Sequence, residues 1–162
     1  MIISVTEAGG GEKSALAARL AAERALVGRK VLLLGADASG ATAPGVATPG
    51  VVTRSISAKG LQPELEHLSS CYHDIVIDTE DRDSLGSRSA LNAARVVVVP
   101  LVCCDGEAGL IERIAKARRF NPGLRVLLVL GATPDVRAHA LAARIPDATL
   151  IGDAQLYGAV FG

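Results

Sequence analysis

The first fourteen residues constrain the fold of this chain more than any other stretch. An apolar run over residues 2–5 leads into three consecutive glycines and then into Lys13 and Ser14, which open an Ala-rich helical segment. A strand, a glycine loop and a Lys-Ser pair at a helix N-terminus form a phosphate-binding layout, because backbone N–H groups and the helix dipole hold an anion there. We therefore expect a phosphate-binding loop at the first turn of an α/β protein.

The match to the usual loop pattern, G-x-x-x-x-G-K-[ST], is incomplete. That pattern needs glycine at positions 7 and 12, where the chain has Glu7 and Glu12. A carboxylate about 4 Å from one phosphate charge costs roughly 4 kcal/mol at an effective dielectric near 20, which is on the order of a thousandfold in affinity. Two interpretations of Glu12 stay open. Its carboxylate either fills the anion site beside Lys13, at the positive end of the helix, or is a solvated helix-start residue.

The rest of the chain alternates between apolar runs and helical patterns. Continuous β-branched runs suit strands that are buried on both faces, and we expect them at residues 2–5, 31–34, 75–77, 96–102, 126–130 and 149–151. Helical spacing of apolar residues predicts helices at residues 14–27, 61–70, 83–93, 107–120 and 134–144. Glycines and prolines predict a loop over residues 38–53. This alternation indicates βαβ units and a mostly parallel, twisted sheet between two layers of helices.

Composition agrees with one such domain over residues 1–162. Hydrophobic residues make up 49% of the chain but aromatic residues only 2%, so Ala, Val, Leu and Ile must build the core in layers. Lys plus Arg and Asp plus Glu both number 17, and the formal net charge is zero. No global field therefore draws the protein to nucleic acid or to anionic lipid, and any such binding must come from a local patch.

Cysteine usage and hydropathy indicate a cytoplasmic protein. The three cysteines, Cys71, Cys103 and Cys104, cannot all pair within the chain, so we expect reduced thiols. The N-terminal apolar run is too short for a signal peptide. No stretch approaches the ~18 uninterrupted apolar residues of a membrane span.

Two aspartates follow predicted strands at the edge of the sheet where α/β proteins bind ligands. Asp37 follows the second strand and Asp78 follows the run at residues 75–77. A hydroxyl and a strand-end carboxylate help to hold Mg²⁺ in phosphate-binding proteins, while a lysine neutralises the terminal phosphates. One aspartate at a strand end is weak evidence because Asp often begins a turn, but two of them beside a Lys-Ser loop are moderately specific.

At these residues the chain resembles the ParA/MinD family of deviant-Walker P-loop ATPases, including the short ParA-type plasmid partition proteins. The family loop K-G-G-x-G-K-[ST] matches A-G-G-G-E-K-S at residues 8–14, and D-x-D-P-Q-G matches G-A-D-A-S-G at residues 35–40. The Walker B strand is similar to Y-H-D-I-V-I-D-T at residues 72–79, and N-A-A-R-V-V-V-V-P-L at residues 92–101 resembles the family's A-D-x-V-x-x-P segment. The resemblance covers nearly the whole chain and implies a three-layer P-loop NTPase fold.

The resemblance also implies roles for individual residues. Ser14 and Asp78 would serve Mg²⁺, Asp37 would orient the attacking water, and Lys13 would act with Asp37 in catalysis. The residues implied to bind the phosphates of ATP share one loop: Gly9, Gly10, Gly11, Glu12, Lys13 and Ser14. The chain departs from the family pattern at Ala8, which replaces the signature lysine of the ATP-bound dimer, and at Glu12 and Gly35.

A basic cluster closes the predicted helix at residues 107–120: Arg113, Lys116, Arg118 and Arg119. Cations at this end complement the helix dipole, so a solvated, stabilising face is one interpretation. Family members bind DNA non-specifically through surface Lys and Arg, so a DNA-binding surface is the other. Both stay open.

Three functions are compatible with these patterns. The first is a ParA-like NTPase of a bacterial or plasmid DNA partition, maintenance or conjugative transfer system, which positions cargo through nucleotide-dependent dimerisation. The second is a degenerate P-loop protein that does not hydrolyse ATP and serves as a binding or regulatory module for a protein partner or DNA. The third, another ATP-dependent enzyme such as a ligase or synthetase, has no separate substrate motif. Lys13, Ser14, Asp37 and Asp78 favour the first function, whereas Ala8, Glu12 and Gly35 favour the second.

Overall fold

The computed structural model describes residues 1–7, 12–36, 48–80, 82–101, 106–131 and 136–162. The strands within these ranges are β1 (Ile2–Val5), β2 (Val31–Ala36), β3 (Val51–Ser55), β4 (Asp74–Thr79), β5 (Val96–Leu101), β6 (Arg125–Leu130) and β7 (Ala148–Gly152). The α-helices within them are α1 (Lys13–Leu26), α2 (Leu61–Cys71), α3 (Leu85–Ala93), α4 (Glu107–Phe120), α5 (Val136–Arg144) and α6 (Leu156–Phe161). A short 3-10 turn, Asp153–Gln155, precedes α6.

The described strands form one sheet in the order β3-β2-β4-β1-β5-β6-β7, and every neighbouring pair is parallel. The α/β fold with a parallel sheet is therefore confirmed. β1 lies at the centre, paired with β4 on one side and with β5 on the other. The central strands are buried on both faces because helices cover both, which explains their continuous apolar runs.

The two faces of the sheet are covered unequally. Alternate residues of β1, β2, β5 and β6 pack against α1 and α6 on one face. The intervening residues of β2, β4, β5 and β6 pack against α2, α3, α4 and α5 on the other. α6 is fastened to α1 by Arg24, whose guanidinium carbon lies 4.4 Å from the centre of the Phe161 ring. The three-layer arrangement follows from the period-2 alternation of side chains along each strand.

Two elements were not predicted from the sequence. The predicted loop at residues 38–53 is wrong at its end, because Val51 and the two residues after it belong to β3, which pairs with β2. The second element is α6, which covers the same face as α1. The predicted strands and the other helices exist, with boundaries that shift by one or two residues within the described ranges.

Two glycines show why the chain turns or packs closely at their positions. Gly28 follows α1 with φ of +80°, a conformation that glycine adopts readily, and so ends the helix. Gly86, in the first turn of α3, lies so close to β2 that an added Cβ would sit 3.1 Å from the carbonyl oxygen of Ala36. A side chain at position 86 would therefore push α3 away from the sheet.

A buried carboxylate anchors the edge of the sheet opposite to the strand C-termini. Asp74, at the start of β4, is only 1% exposed. Its Oδ2 accepts hydrogen bonds from Nε of Arg24 at 2.8 Å and from Nε of Arg29 at 3.2 Å. Burial raises the pKa of Asp74, but the hydrogen bonds from the two arginines outweigh burial and hold that pKa below its ordinary value. This cluster ties α1 and the following turn to β4.

Two further sequence expectations concern cysteines and membranes. Cys71 is a free, exposed thiol at the end of α2, whereas Cys103 and Cys104 lie outside the described residues. In the part of the chain that the structure describes, no helix has the length and apolar character needed to cross a bilayer.

Candidate functional site

The candidate site lies where the C-terminal ends of the central strands meet the start of α1. β1 leads through α1 to β2 on one side of the sheet, whereas β5 leads through α4 to β6 on the other. The crevice between β1 and β5 is thus the point at which the strand order reverses, which is where open α/β sheets bind ligands. Val5 pairs in register with Asp78 and with Val98, so β1 and β4 end within one residue of each other, whereas β5 continues three residues further, to Leu101.

Ser14 and Asp78 meet at this edge. The Ser14 hydroxyl donates a hydrogen bond to Oδ2 of Asp78 at 2.6 Å. The next residue, Thr79, fixes the end of β4 against β1 because its hydroxyl donates to the carbonyl oxygen of Val5 at 3.0 Å. A hydroxyl and a carboxylate oxygen are ligands that Mg²⁺ prefers. The fold therefore brings together the two residues that were predicted to serve a metal.

Lys13, the predicted phosphate-binding lysine, contacts an acidic side chain. Its Nζ lies 3.5 Å from Oε1 of Glu7, and the side chains of the two residues are 15% and 1% exposed. The position of Glu7 is fixed by a buried hydrogen bond of 2.9 Å, which Nη2 of Arg113 donates to the Glu7 carbonyl oxygen. Sequence reasoning identified Glu7 only as a departure from the glycine pattern and missed its contact with Lys13.

Glu12 does not take the place beside Lys13 that one hypothesis gave it. It is exposed at the N-cap of α1, with backbone angles in the right-handed helical region, and its side chain accepts no hydrogen bond from the helix. The carboxylate that contacts Lys13 is that of Glu7. The geometry favours the interpretation of Glu12 as a solvated helix-start residue.

A cavity of about 630 Å³ opens next to the start of α1. It is lined by Ala15 and Leu16 of α1 and by residues at the ends of β5, β6 and β7, among them Gly131. Arg19 and Asp153 also line it and form a bidentate ion pair across it, with Nη1 of Arg19 donating to Oδ2 of Asp153 at 2.8 Å. The hydrogen bond from Arg19 lowers the pKa of Asp153, and the same bond raises the pKa of Arg19.

Several predicted site residues lie outside the described residues. They are Gly9, Gly10 and Gly11 of the phosphate loop and Asp37 after β2. Their roles stay predictions.

Arg113 corrects the expectation of a four-residue basic surface. It is only 5% exposed, and its guanidinium group lies inside the protein against the chain that follows β1. The physical reason is its helical position, because Arg113 shares the buried face of α4 with Leu110, Ile114 and Ala117. Its prediction as a surface DNA-binding residue is wrong, although the apolar spacing around it could have signalled burial.

The other three basic residues of α4 differ in their surroundings. Lys116 is half exposed and lies 2.9 Å from Oε1 of Glu112 and 3.7 Å from Oδ2 of Asp83. Arg118 donates hydrogen bonds to the carbonyl oxygens of Pro146 and Leu124, and so fastens the end of α4. Arg119 is exposed. Lys116 and Arg119 therefore lie on the exposed side of α4, but the ammonium group of Lys116 is paired with two carboxylates.

No protein-family model and no curated protein matches this chain. Among solved structures, it is similar to a plasmid partition protein from Borrelia burgdorferi, with a TM-score of 0.65 and 17% identity over 93% of this chain and 87% of that one. It is also similar to a chain of the MinC:MinD cell division protein complex of Aquifex aeolicus, with a TM-score of 0.67 and 14% identity over 94% of this chain and 81% of that one.

A third similar structure holds ligands. It is cobyrinic acid a,c-diamide synthase from Mycobacterium smegmatis with a bound ATP analogue and magnesium, and it matches with a TM-score of 0.67 and 18% identity over 91% of this chain and 80% of that one. At such identities the likeness establishes the fold. It confirms the fold that the sequence resemblance implied.

Proposed function

We propose that this chain, which has the fold of the ParA/MinD P-loop ATPases, is a nucleotide-controlled switch protein that positions cargo in a bacterial or plasmid DNA partition, maintenance or conjugative transfer system. The observation that carries the proposal is the contact between Ser14 and Asp78 at the C-terminal ends of the central strands, next to the reversal point of the strand order. The cavity of about 630 Å³ beside α1 offers room for the rest of a nucleotide. Such a role would be carried out in the cytoplasm.

The similar structures supply the chemistry and the mode of action in this proposal. The cobyrinic acid a,c-diamide synthase binds an ATP analogue and magnesium, so ATP and Mg²⁺ are the ligands that we propose here. The MinC:MinD complex suggests a complex with a protein partner as one functional assembly, and the sequence resemblance implies a homodimer as another. Non-specific DNA is a further candidate partner, for which the exposed cations of α4 are Arg119 and Lys116, the latter in surface ion pairs with Asp83 and Glu112.

The described residues favour binding of Mg²⁺ but oppose binding of the terminal phosphates of ATP. The hydroxyl of Ser14 and the carboxylate of Asp78 are oxygen donors suited to Mg²⁺, which would neutralise phosphate charge when bound. Lys13 would bind the terminal phosphates, but the carboxylate of Glu7 already lies beside its ammonium group. We therefore derive no hydrolytic step, and the roles of Asp37 and Lys13 in catalysis rest on the resemblance alone.

The contact between Glu7 and Lys13 favours a second candidate function. A P-loop lysine held by an internal carboxylate binds phosphate weakly, and a protein of this kind would act as a non-hydrolysing binding or regulatory module for a protein partner or DNA. Ala8, Glu12 and Gly35, which replace residues of the family pattern, point in the same direction. The two candidates differ in whether nucleotide changes the state of the protein.

The deciding experiment measures nucleotide binding and molar mass together. The protein is titrated with ATP in Mg²⁺ and in EDTA by calorimetry, and its mass is determined by light scattering with and without Mg-ATP. The switch function predicts Mg²⁺-dependent binding and a doubling of mass with Mg-ATP. Absence of Mg²⁺-dependent binding in the wild-type protein and in the Glu7 variants described below would contradict it. Binding without a change of mass would favour the regulatory module.

A further inference from the structure

We infer that Glu7 is a built-in counter-ion of Lys13, which lowers the affinity of the proposed nucleotide site for di- and triphosphates. This inference rests on the proposed function, since it concerns how that site is restrained. The usual loop pattern has glycine at position 7, so no side chain shares the space in front of the lysine. In this chain the Glu7 carboxylate lies 3.5 Å from the ammonium group of Lys13.

The surroundings of Glu7 hold its charge in place. The residue is 0% exposed, and Arg113 donates to its carbonyl oxygen from inside the protein at 2.9 Å. The backbone just before it is fixed as well, because the N–H of Thr6 donates to the carbonyl oxygen of Val98 at 3.1 Å. The Glu7 side chain itself is only 1% exposed and contacts Lys13, so its charge is little screened by water. An arriving phosphate therefore meets this charge inside the site.

Coulomb's law gives the size of the effect. An anion held by the same ammonium group would lie on the order of 6 Å from the Glu7 carboxylate. At an effective dielectric near 20, repulsion between two unit charges at that distance weakens binding roughly 100-fold. Glu12 also lines the cavity, but it is exposed, so solvent screens its charge more than that of the buried Glu7.

The restraint acts on one part of the ligand. The P-loop lysine reaches the β- and γ-phosphates, so the penalty applies to di- and triphosphates and spares a nucleoside monophosphate. A wild-type protein restrained in this way would discriminate poorly between ATP and AMP. Neutralising Glu7 would restore a preference for ATP.

The test compares Glu7→Gln, Glu12→Gln and Glu66→Gln with the wild type. Glu66 is an exposed residue on α2, so its variant controls for the change in net charge. Dissociation constants are measured for Mg-ATP, AMP and inorganic tripolyphosphate. Glu7→Gln is expected to strengthen binding of Mg-ATP and tripolyphosphate roughly 30- to 100-fold, with no such change for AMP. Glu66→Gln is expected to leave all three affinities as they are.

Three results would overturn the inference. They are equal affinities of the wild type and Glu7→Gln for Mg-ATP, an equal gain for AMP, and a larger gain from Glu12→Gln than from Glu7→Gln. Thermal unfolding of each variant checks the fold, and Glu7→Gly, which restores the pattern residue, is the second variant if Glu7→Gln does not fold. Mg²⁺-dependent binding by the wild type with no gain in either Glu7 variant refutes the inference alone. A gain for tripolyphosphate without Mg²⁺-dependent nucleotide binding refutes the proposed function alone.

Discussion

The Ser14 hydroxyl and the Asp78 carboxylate are separated by 64 positions in the chain and joined by a 2.6 Å hydrogen bond. The contact exists because β1 and β4 are neighbours in the sheet, with Val5 level with Asp78. It is the structural basis for a metal-dependent site, since the hydroxyl and carboxylate oxygens are the residues' groups that would help to hold a Mg²⁺ ion there.

Replacing Asp78 with Asn should remove most of the dependence of nucleotide binding on Mg²⁺. An amide oxygen carries no charge to balance the metal, so we expect the gain in ATP affinity from Mg²⁺ to fall about tenfold or more, or ~1.4 kcal/mol. Calorimetric titrations with and without EDTA measure it. Ser69→Ala, which removes an exposed serine hydroxyl on α2, is the control. An unchanged Mg²⁺ dependence in Asp78→Asn would place the metal elsewhere.

Replacing Asp74 with Asn should destabilise the protein by about 3 kcal/mol, because it leaves two arginines around a buried group that no longer carries the balancing charge. Urea denaturation of the wild type and the variant gives the difference in the free energy of unfolding. Asp147→Asn, at an exposed turn residue, is a matched change of charge away from this cluster. A decrease in the free energy of unfolding of less than about 0.5 kcal/mol would show that the cluster contributes little to stability.

The same carboxylate predicts how stability depends on pH. The pKa of Asp74 is lower in the folded protein than its ordinary value of 3.8. A depressed pKa stabilises the folded state above the unfolded pKa, and that stabilisation is lost as the pH falls through the folded value. The difference in unfolding free energy between the wild type and Asp74→Asn should be constant above about pH 5 and shrink below about pH 4. A difference that grows in acid would contradict this assignment.

Two helical glycines should respond in opposite ways to alanine. Gly86→Ala brings a methyl group to 3.1 Å from the Ala36 carbonyl oxygen, so we expect a loss of about 1–2 kcal/mol despite better helix propensity. Gly109, in the first turn of α4, has no atom within 4 Å of an added Cβ among the described residues. Gly109→Ala should therefore stabilise the protein by roughly 0.5–1 kcal/mol. Thermal unfolding distinguishes the two, and a stabilising Gly86→Ala would show that α3 can shift.

If DNA is a partner, Lys116 and Arg119 should carry more of the binding than Arg118, whose guanidinium is used within the protein. The double variant Lys116→Ala, Arg119→Ala should weaken binding to duplex DNA and reduce the salt slope by about 2. Fluorescence anisotropy at several salt concentrations measures both quantities. Arg54→Ala with Lys59→Ala removes the same charge from another surface. An equal loss in that control would mean that the α4 cluster is not the DNA surface.

The sequence predicted most of the fold because the central strands are buried on both faces and read as continuous β-branched runs. β3 could not be predicted in this way. It is an edge strand whose residues Val52 to Ser55 are exposed, and it follows a segment rich in Gly and Pro. Its two valines, Val51 and Val52, form too short an apolar run to mark a strand there. Its existence follows only from its pairing with β2.

The candidate site was predictable in part for a similar reason. Lys13, Ser14 and Asp78 could be identified from motif spacing, because such motifs place their residues at the ends of particular strands and helices. The role of Glu7 could not be read in this way, because its contact with Lys13 depends on how β1, α1 and α4 pack. Burial, which decides whether a charge restrains a site or is screened, is a property of the fold.

β1 lies at the centre of the sheet, although the strands on both sides of it come much later in the sequence. Both neighbours of β1 are made much later, because Ile2 pairs with Ile75 and Ile3 with Val96. At roughly 5–20 residues per second, the first strand waits several seconds on the ribosome before either partner exists. β1 therefore has no strand to pair with until β4 has been translated, although it lies at the centre of the finished sheet.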